Sequence, residues 1–225
     1  MSKVLIIGGQ KGGTGKSTIT SFIANYLSNH SSLKLLVIDA DDMQQSLLSK
    51  RNTELANNMY TEEKAPYRLI GSLSNQVSSL ISTYDDVYDI IMVDLPGNLK
   101  QEGVFGIYAL ANYILFPITP DFVNLNSFIK FLELYKEDVV PVQQKLAVEC
   151  KIAAFLNNVN VRSVEVKILL DQRENYHDLI PIFQNVIPRS EVTFARKFNT
   201  YEEYKNSESS DKYAAFIAEF LEFIN

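Results

Sequence analysis

The segment that most strongly constrains the fold of this chain runs from Gly8 to Thr18 and reads Gly-Gly-Gln-Lys-Gly-Gly-Thr-Gly-Lys-Ser-Thr. It follows an apolar run, Val4 to Ile7, and precedes apolar residues at helical spacing, so we expect it to join a strand to a helix. Glycines at such a junction let the backbone turn with its N–H groups facing inward. Together with the N-terminus of the helix, these groups form a cradle for an anion. The segment therefore predicts a phosphate-binding loop.

The residues of this loop that we expect to contact a nucleotide are Gly12, Gly13, Thr14, Gly15, Lys16, Ser17 and Thr18. Lys16 can reach the β- and γ-phosphates and act in catalysis, and the Ser17 hydroxyl is a candidate ligand of Mg²⁺. The strict form of the motif has a glycine where this chain has Gln10, so a plain glycine-rich turn is the alternative.

The run from Gln10 to Thr18 resembles the deviant Walker A box of the ParA/MinD family of ATPases, which carries an additional lysine early in the loop, here Lys11. The resemblance implies that the cofactors are ATP and Mg²⁺. It also implies that Lys11 crosses the interface of an ATP-sandwich homodimer and contacts the phosphates of the other subunit. Such a lysine would act as an arginine finger does, by stabilising negative charge on the transferring phosphoryl group. A solvated loop lysine is the alternative.

A pair of aspartates ends the second predicted strand. Val37-Ile38-Asp39-Ala40-Asp41 resembles the switch I segment of the same family. The resemblance implies that Asp39 holds Mg²⁺ through water and that Asp41 orients or activates the attacking water. The commonest family version continues with Pro-Gln, whereas here Asp42 and Met43 precede Gln44, so Asp41, Asp42 and Gln44 all remain candidates for positioning the water. The alternative is an acidic turn in which an aspartate caps the following helix.

A single aspartate, Asp94, ends the next apolar strand, Ile90 to Val93. This is the Walker B arrangement, in which a hard carboxylate near the phosphates binds Mg²⁺ directly or through a water. The following Leu95-Pro96-Gly97 resembles the start of switch II, which implies that the Gly97 amide senses the γ-phosphate. An ordinary turn after the strand is the alternative.

Three later segments carry weaker resemblances. Phe116 to Pro120 is similar to the family's exit from strand four. Asn157, with Asn158 as a neighbouring candidate, stands where the family often has an asparagine that reads the adenine edge. Ile187-Pro188-Arg189 resembles the segment that closes over the base, so Pro188 is a candidate base contact. Ordinary loop chemistry is the alternative for each.

Short apolar runs alternate with helical periods along the chain, which predicts an α/β fold with a doubly wound, mostly parallel sheet flanked by helices. The resemblance adds that this is a P-loop NTPase fold of the SIMIBI type. The predicted strands are Val4 to Ile7, Leu35 to Ile38, Ile90 to Val93, Tyr113 to Pro117, Ile152 to Leu156 and a weaker one near Asn185 to Ile187. The polar stretch from Arg51 to Arg68 is predicted to have a surface loop at its centre. With no linker or repeat in sight, we expect residues 1–225 to form one domain.

Composition limits both the cysteine chemistry and the cellular location expected for this chain. The chain has 225 residues, a formal net charge of −6 and one cysteine, Cys150. A lone cysteine excludes an internal disulfide and an iron–sulfur cluster held by this chain alone. The apolar run at the N-terminus is too short for a signal peptide, and no run reaches the roughly 18 residues of a membrane span, so we expect a cytoplasmic protein that does not bind membranes.

The apolar stripe near the C-terminus, which includes Phe216 and Phe220, is expected to pack in the core. Glu219 and Glu222 on its polar face would be repelled by anionic lipid.

Within the family, the chain resembles the small Soj-like ParA proteins, because Val4 already begins the first strand and leaves no room for an N-terminal helix-turn-helix. The resemblance implies an ATPase of weak activity that is stimulated by a ParB-like activator, dimerises with ATP and associates with DNA without sequence preference. The basic residues considered for DNA are Arg189, Arg196, Lys197, Lys205 and Lys212. One alternative is a nucleotide-dependent switch that regulates a protein partner without DNA. Another is a small-molecule ligase of the dethiobiotin synthetase type, against which Lys11 argues.

Overall fold

A computed structural model of the protein describes residues 1–9, 12–97, 101–189, 198–202 and 210–225. Within these ranges seven parallel strands form the sheet order β3-β2-β4-β1-β5-β6-β7. The strands are β1 (Lys3–Ile7), β2 (Leu35–Asp39), β3 (Arg68–Gly71), β4 (Ile90–Asp94), β5 (Tyr113–Ile118), β6 (Lys151–Val159) and β7 (Ile187–Pro188). The predicted doubly wound parallel sheet is confirmed, and the five stronger strand predictions coincide with β1, β2, β4, β5 and β6.

Helices cover both faces of this sheet. They are α1 (Lys16–His30), α2 (Ser46–Ala56), α3 (Ser74–Tyr84), α4 (Val104–Ala109), α5 (Phe122–Leu134), α6 (Val140–Lys145), α7 (Val164–Asp171) and α8 (Ser210–Ile224). A π-helical turn, Tyr135–Val139, connects α5 to α6.

Alternation along the strands divides the core into two clusters. In β1, Val4 and Ile6 pack on the face covered by α3, α4, α5 and α7. Leu5 and Ile7 pack on the opposite face, against α1, α2 and α8. Each strand of a sheet covered on both faces is apolar at successive positions, which is why the central strands read as uninterrupted apolar runs in the sequence.

The strand order places the ends of several strands together. Ile7 at the end of β1 lies in register with Asp94 on one side and with Leu115 on the other, and Asp94 lies in register with Asp39 of β2. The phosphate loop and both strand-end aspartates therefore share the carboxyl edge of the sheet. Open parallel sheets bind their ligands at this edge.

The surface loop predicted at the centre of the stretch from Arg51 to Arg68 is confirmed, and a helix and a strand lie at its two ends. Arg51 lies inside α2 and is 1% exposed, and Arg68 begins the edge strand β3. Arg51 and Glu54 are buried in α2 and pair with Thr200, far away in the chain, whereas most other polar residues of the stretch are exposed. Only the middle of the stretch is an exposed turn. The strand β3 and the helix α3 were not predicted.

The C-terminal helix packs as predicted. Phe216 and Phe220 are fully buried against the α1 face of the sheet. Glu222 is exposed, but Glu219 is not on a free polar face, because its carboxylate accepts hydrogen bonds from the backbone N–H groups of Gln184 (2.7 Å) and Asn185 (2.9 Å). Among the described residues, no helix combines the length and apolar character that a membrane crossing requires.

Candidate functional site

The phosphate loop begins directly after β1 and depends on glycine for its backbone conformation. Gly9, Gly13 and Gly15 have φ angles of 134°, 79° and 88°, in the region that favours glycine. Gly15 is the N-cap of α1, so the loop leads straight into a helix N-terminus. A Cβ added at Gly12 or Gly13 would meet nothing within 4 Å, so the loop is open on the side where a ligand would lie. Gln10 and Lys11 lie outside the described residues.

Two buried side chains form hydrogen bonds with the backbone of the loop. The Gly9 N–H donates to the phenol oxygen of Tyr108 at 3.1 Å, and the Asn157 side-chain amide donates to the carbonyl oxygen of Thr14 at 2.7 Å. A Cβ at Gly15 would lie 2.5 Å from that amide nitrogen, so only glycine fits at this position. Loops held by such contacts keep their geometry before a ligand arrives, which lowers the cost of binding.

Lys16 occupies the first turn of α1 and is buried, with 8% of its surface exposed. Burial lowers the pKa of its ammonium group, while the neighbouring carboxylates of Asp94 and Asp41 raise it. Desolvation is the larger effect, and it penalises the charged form. A bound polyanion would stabilise the charged form of Lys16, so the site favours a phosphate ligand.

Asp39 and Asp94 are both buried in this site. Asp94 is 1% exposed and Asp39 is fully buried. Burial and the nearby Asp39 raise the pKa of Asp94 to about 7, against smaller opposing effects of a hydrogen bond from Ser17 and the charge of Lys16. Burial likewise raises the pKa of Asp39. Two carboxylates confined side by side with a serine hydroxyl form a donor set suited to a hard divalent cation such as Mg²⁺.

Asp39 also caps a helix, as the alternative interpretation of this turn allowed. Its Oδ2 accepts hydrogen bonds from the backbone N–H groups of Leu47 (2.8 Å) and Leu48 (3.1 Å) in the first turn of α2. The carboxylate thus joins the edge of the sheet to the helix that follows switch I. Capping and an outer-sphere contact to Mg²⁺ are compatible, because a carboxylate has about four lone-pair sites.

The structure separates the three candidates for positioning a water. Asp41 is half-buried near Lys16, and its Oδ1 accepts the N–H groups of Met43 (3.0 Å) and Gln44 (3.1 Å). Asp42 points elsewhere and accepts the N–H (2.8 Å) and hydroxyl (2.9 Å) of Ser74, at the start of α3. Gln44 is exposed. These positions favour Asp41 over Asp42.

Two residues of this site were not predicted from the sequence. The Thr20 hydroxyl contacts Asp94 Oδ1 at 3.4 Å, one turn of α1 beyond Lys16. Helical spacing from Lys16 could have identified Thr20. Tyr108, by contrast, comes from α4 and meets Gly9 across 99 positions, and nothing in the local sequence indicates that contact.

The predicted base-binding residues lie together at one end of the sheet. Asn157 pairs with Ile187 and Val159 pairs with Pro188 across the irregular junction of β6 and β7. Asn157 is 4% exposed, whereas Asn158 is exposed and has a positive φ of 55°. Their contact with a base stays a prediction.

Other predicted residues are placed only in part. Ser17 and Thr18 are half-buried in the first turn of α1, and Gly97 is half-buried beyond the end of β4. Arg189 is exposed just after β7. Arg196, Lys197 and Lys205 lie outside the described residues, as does the side chain of Lys212.

In the described part of the chain, no group of three or more His, Cys, Asp and Glu side chains is arranged to hold a metal ion by itself. A cation bound by Ser17, Asp39 and Asp94 would therefore need further ligands, such as water or nucleotide oxygens.

Comparison with known proteins agrees with this geometry. A family model described as the CobQ/CobB/MinD/ParA nucleotide binding domain matches residues 5–200. No curated protein matches the sequence. Among solved structures, nucleotide-free McdA of Cyanothece superposes with a TM-score of 0.73 at 21% identity, covering 100% of both chains. MinD of Pyrococcus horikoshii with Mg-ADP gives 0.67 at 19% identity, covering 100% of this chain and 97% of that one. A plasmid partition protein from Borrelia burgdorferi gives 0.62 at 20% identity, covering 98% of each chain.

Proposed function

This chain belongs to the CobQ/CobB/MinD/ParA family of nucleotide-binding domains, and from that premise we propose that it is a ParA-like ATPase that partitions plasmid, chromosomal or mobile-element DNA. The observation that carries the ATPase part of this proposal is the cluster at the carboxyl edge of the sheet, while the partitioning role rests on the family resemblance. A buried lysine, two buried carboxylates and an open glycine loop meet there. The similar fold of MinD was solved with Mg-ADP, which supports a magnesium nucleotide as the ligand.

Each residue of the cluster has a chemical task in this proposal. Lys16 and the loop amides bind the β- and γ-phosphates of ATP. Ser17 and Asp94 would hold Mg²⁺, with Asp39 acting through a water. The cation supplies charge neutralisation on the phosphates when it is bound. Asp41 accepts a hydrogen bond from the attacking water and so orients it.

The dimer and its activator rest on the family resemblance. Lys11 is proposed to reach the phosphates of a second copy, so that the homodimer forms with ATP and comes apart after hydrolysis. A ParB-like protein is proposed to stimulate a slow basal activity. Asn157 and Pro188 are proposed to contact the adenine. The inward-facing amide of Asn157 would then connect the base site to the phosphate loop through Thr14.

DNA association is the part of the proposal that defines its biological role. ATP-dependent dimerisation would bring two copies of a modest basic patch together, so the dimer would bind duplex DNA that a monomer does not retain. Because phosphate contacts release counterions, this binding would weaken steeply with salt. We expect retention of duplex DNA without sequence preference in ATP and not in ADP.

A double charge reversal tests this role. Arg196→Glu with Lys197→Glu should reduce DNA retention and leave ATP binding intact. The matched control reverses two exposed lysines on α6 and α7, Lys145→Glu with Lys167→Glu, and should retain DNA. Failure of the wild-type ATP-bound protein to retain DNA at low salt would instead favour the nucleotide-dependent switch that acts on a protein partner.

A further inference from the structure

A short segment near the C-terminus, Phe198 to Glu202, lies across two helices of the nucleotide site, and we call it the strap. Its central residue, Thr200, is fully buried, and so are two charged residues of α2, Arg51 and Glu54, each 1% exposed. Charged side chains are seldom buried so completely unless every polar atom has a partner. The partners of these two residues come largely from the strap.

Arg51 forms hydrogen bonds with both the backbone and the side chain of Thr200 in the strap. Its Nε donates to the Thr200 hydroxyl oxygen at 2.8 Å and its Nη2 donates to the Thr200 carbonyl oxygen at 2.9 Å. The remaining nitrogen, Nη1, reaches the carbonyl oxygen of Tyr67 at 3.2 Å and the carboxylate of Glu62 at 3.4 Å. The guanidinium also lies over the Tyr67 ring, 4.9 Å from its centroid. These contacts fix the guanidinium in one orientation.

Glu54 completes the same network from the next turn of α2. Its carboxylate accepts hydrogen bonds from the Thr200 hydroxyl at 2.6 Å and from the Thr200 N–H at 3.2 Å. The Tyr60 hydroxyl donates to the same carboxylate at 3.1 Å. The Thr200 hydroxyl therefore donates to Glu54 and accepts from Arg51, and a side chain without a hydroxyl would leave both buried charges short of a partner.

The strap holds the phosphate-loop helix as well. The Asn199 carbonyl oxygen accepts hydrogen bonds from the Ser21 hydroxyl and, at 3.2 Å, from the side-chain amide of Asn25, both in α1. Helix α1 begins at Lys16. Through adjacent residues, Asn199 and Thr200, the strap thus connects the helix that carries Lys16 to the helix that follows switch I.

The N-terminus of α2 determines the surroundings of Asp39, through the N–H groups of Leu47 and Leu48 described above. In α2, Leu47 is the only fully buried apolar residue, while the other two buried residues are Arg51 and Glu54. The placement of α2, and with it the orientation of the Asp39 carboxylate, therefore depends heavily on the polar network with the strap.

We propose that the strap and its buried network of Arg51, Glu54 and Thr200 position Asp39 for the divalent cation that accompanies the nucleotide. These three residues are positioning residues, since they act through α2 and touch no substrate. The inference rests on the proposed binding of MgATP. Loss of the Thr200 hydroxyl should therefore alter mainly the dependence on Mg²⁺. The phosphate loop is held by Tyr108 and Asn157, and the contact of the strap with α1 is made by the Asn199 carbonyl, which a change at Thr200 retains.

The test compares Thr200→Val, which removes the hydroxyl at nearly constant volume, with Thr200→Ser, which keeps it. Thr53→Val is the matched control, because Thr53 is exposed on α2 and its hydroxyl donates to the Ser49 carbonyl oxygen of the same helix. ATP binding is measured by displacement of a fluorescent ATP analogue, at increasing Mg²⁺ and in EDTA. We expect Thr200→Val to raise the half-saturating Mg²⁺ concentration about three- to tenfold, near the lower end of effects for groups outside the first ligand sphere. Affinity in EDTA should stay unchanged, and both Thr200→Ser and Thr53→Val should behave as wild type.

The outcomes separate the two proposals. If the wild-type protein binds ATP without any dependence on Mg²⁺, or not at all, the proposed function fails and this inference fails with it. If wild type depends on Mg²⁺ and Thr200→Val shows the same half-saturation, only the positioning role is wrong. An equal loss with and without Mg²⁺ would also overturn it, since that indicates general disruption. Should Thr200→Val not fold, Tyr60→Phe removes a hydroxyl that contacts both Glu54 and Thr200 in the same network, and it is expected to shift the Mg²⁺ dependence about twofold in the same direction.

Discussion

Asp39 and Asp94 end neighbouring parallel strands as register partners, and both carboxylates are buried. Folding therefore brings two acidic groups together in a region that water scarcely reaches. Without a cation, this arrangement opposes ionisation, and the pKa of Asp94 rises to about 7 as a result. The nucleotide-free protein is consequently destabilised by the same pair of carboxylates that would serve a bound Mg²⁺.

Replacing Asp94 by asparagine should stabilise the nucleotide-free protein at pH 8. The folded-state pKa of Asp94 lies above its unfolded value, so the stability it contributes is fully present below the unfolded pKa and is lost as pH rises through about 7. The advantage of Asp94→Asn over wild type should grow by on the order of 2–3 kcal/mol between pH 5 and pH 8. Urea unfolding in EDTA at the two pH values measures it.

The exposed Asp138→Asn serves as the control for replacing an aspartate by asparagine away from the site. Added MgATP should raise the melting temperature of wild type and should not raise that of Asp94→Asn. A difference between wild type and Asp94→Asn that stays constant with pH would contradict the raised pKa.

Asp41→Ala should bind ATP and hydrolyse it on the order of 100-fold more slowly, because it removes the carboxylate proposed to orient the water. The ATP-bound dimer should then accumulate in size-exclusion chromatography. Asp42→Ala gives the contrast. It removes the hydrogen bonds to Ser74, so it should lower the free energy of unfolding by about 1 kcal/mol and leave turnover unchanged. Loss of turnover in Asp42→Ala, with normal turnover in Asp41→Ala, would reverse the assignment.

Lys11→Gln should keep most of the affinity for ATP and lose ATP-dependent dimerisation or hydrolysis. The reason is that Lys11 is proposed to act on the phosphates of the other subunit, whereas Lys16 acts within its own. Light scattering after chromatography, with ATP and with ADP, reports the mass in each state. The sandwich-dimer proposal would be wrong if Lys11→Gln and Lys16→Ala lost ATP affinity equally.

The central sheet could be predicted because parallel strands buried on both faces form nearly continuous apolar runs, as in Ile90 to Val93. The phosphate loop and its two aspartates could be predicted because each follows such a strand directly. Helix α2 was not predicted, because its buried face is partly charged and gives no continuous apolar pattern. Its buried residues include Arg51 and Glu54, and their partner is Thr200, whose distance along the chain leaves no periodic signal.

The contacts that support the phosphate loop could not be predicted either, because they join residues far apart in the chain. Tyr108 and Asn157 support it through single hydrogen bonds that span 99 and 143 positions. The base contact of Asn157 stays a prediction, and the hydrogen bond from its amide to Thr14 of the phosphate loop was not predicted. The role of Asp42 at the start of α3 was likewise hidden, because α3 itself was not predicted.

Calorimetric titration with MgATP tests the central claim most directly, which is that this glycine loop and Lys16 bind the phosphates of ATP. Lys130→Ala, an exposed position on α5, is the control for removing a lysine. Wild type and Lys130→Ala should show saturable binding of MgATP. Lys16→Ala should lose about 100-fold or more in affinity, since it removes a buried charge from the phosphates. Binding of MgATP by Lys16→Ala with an affinity close to that of wild type would contradict the account.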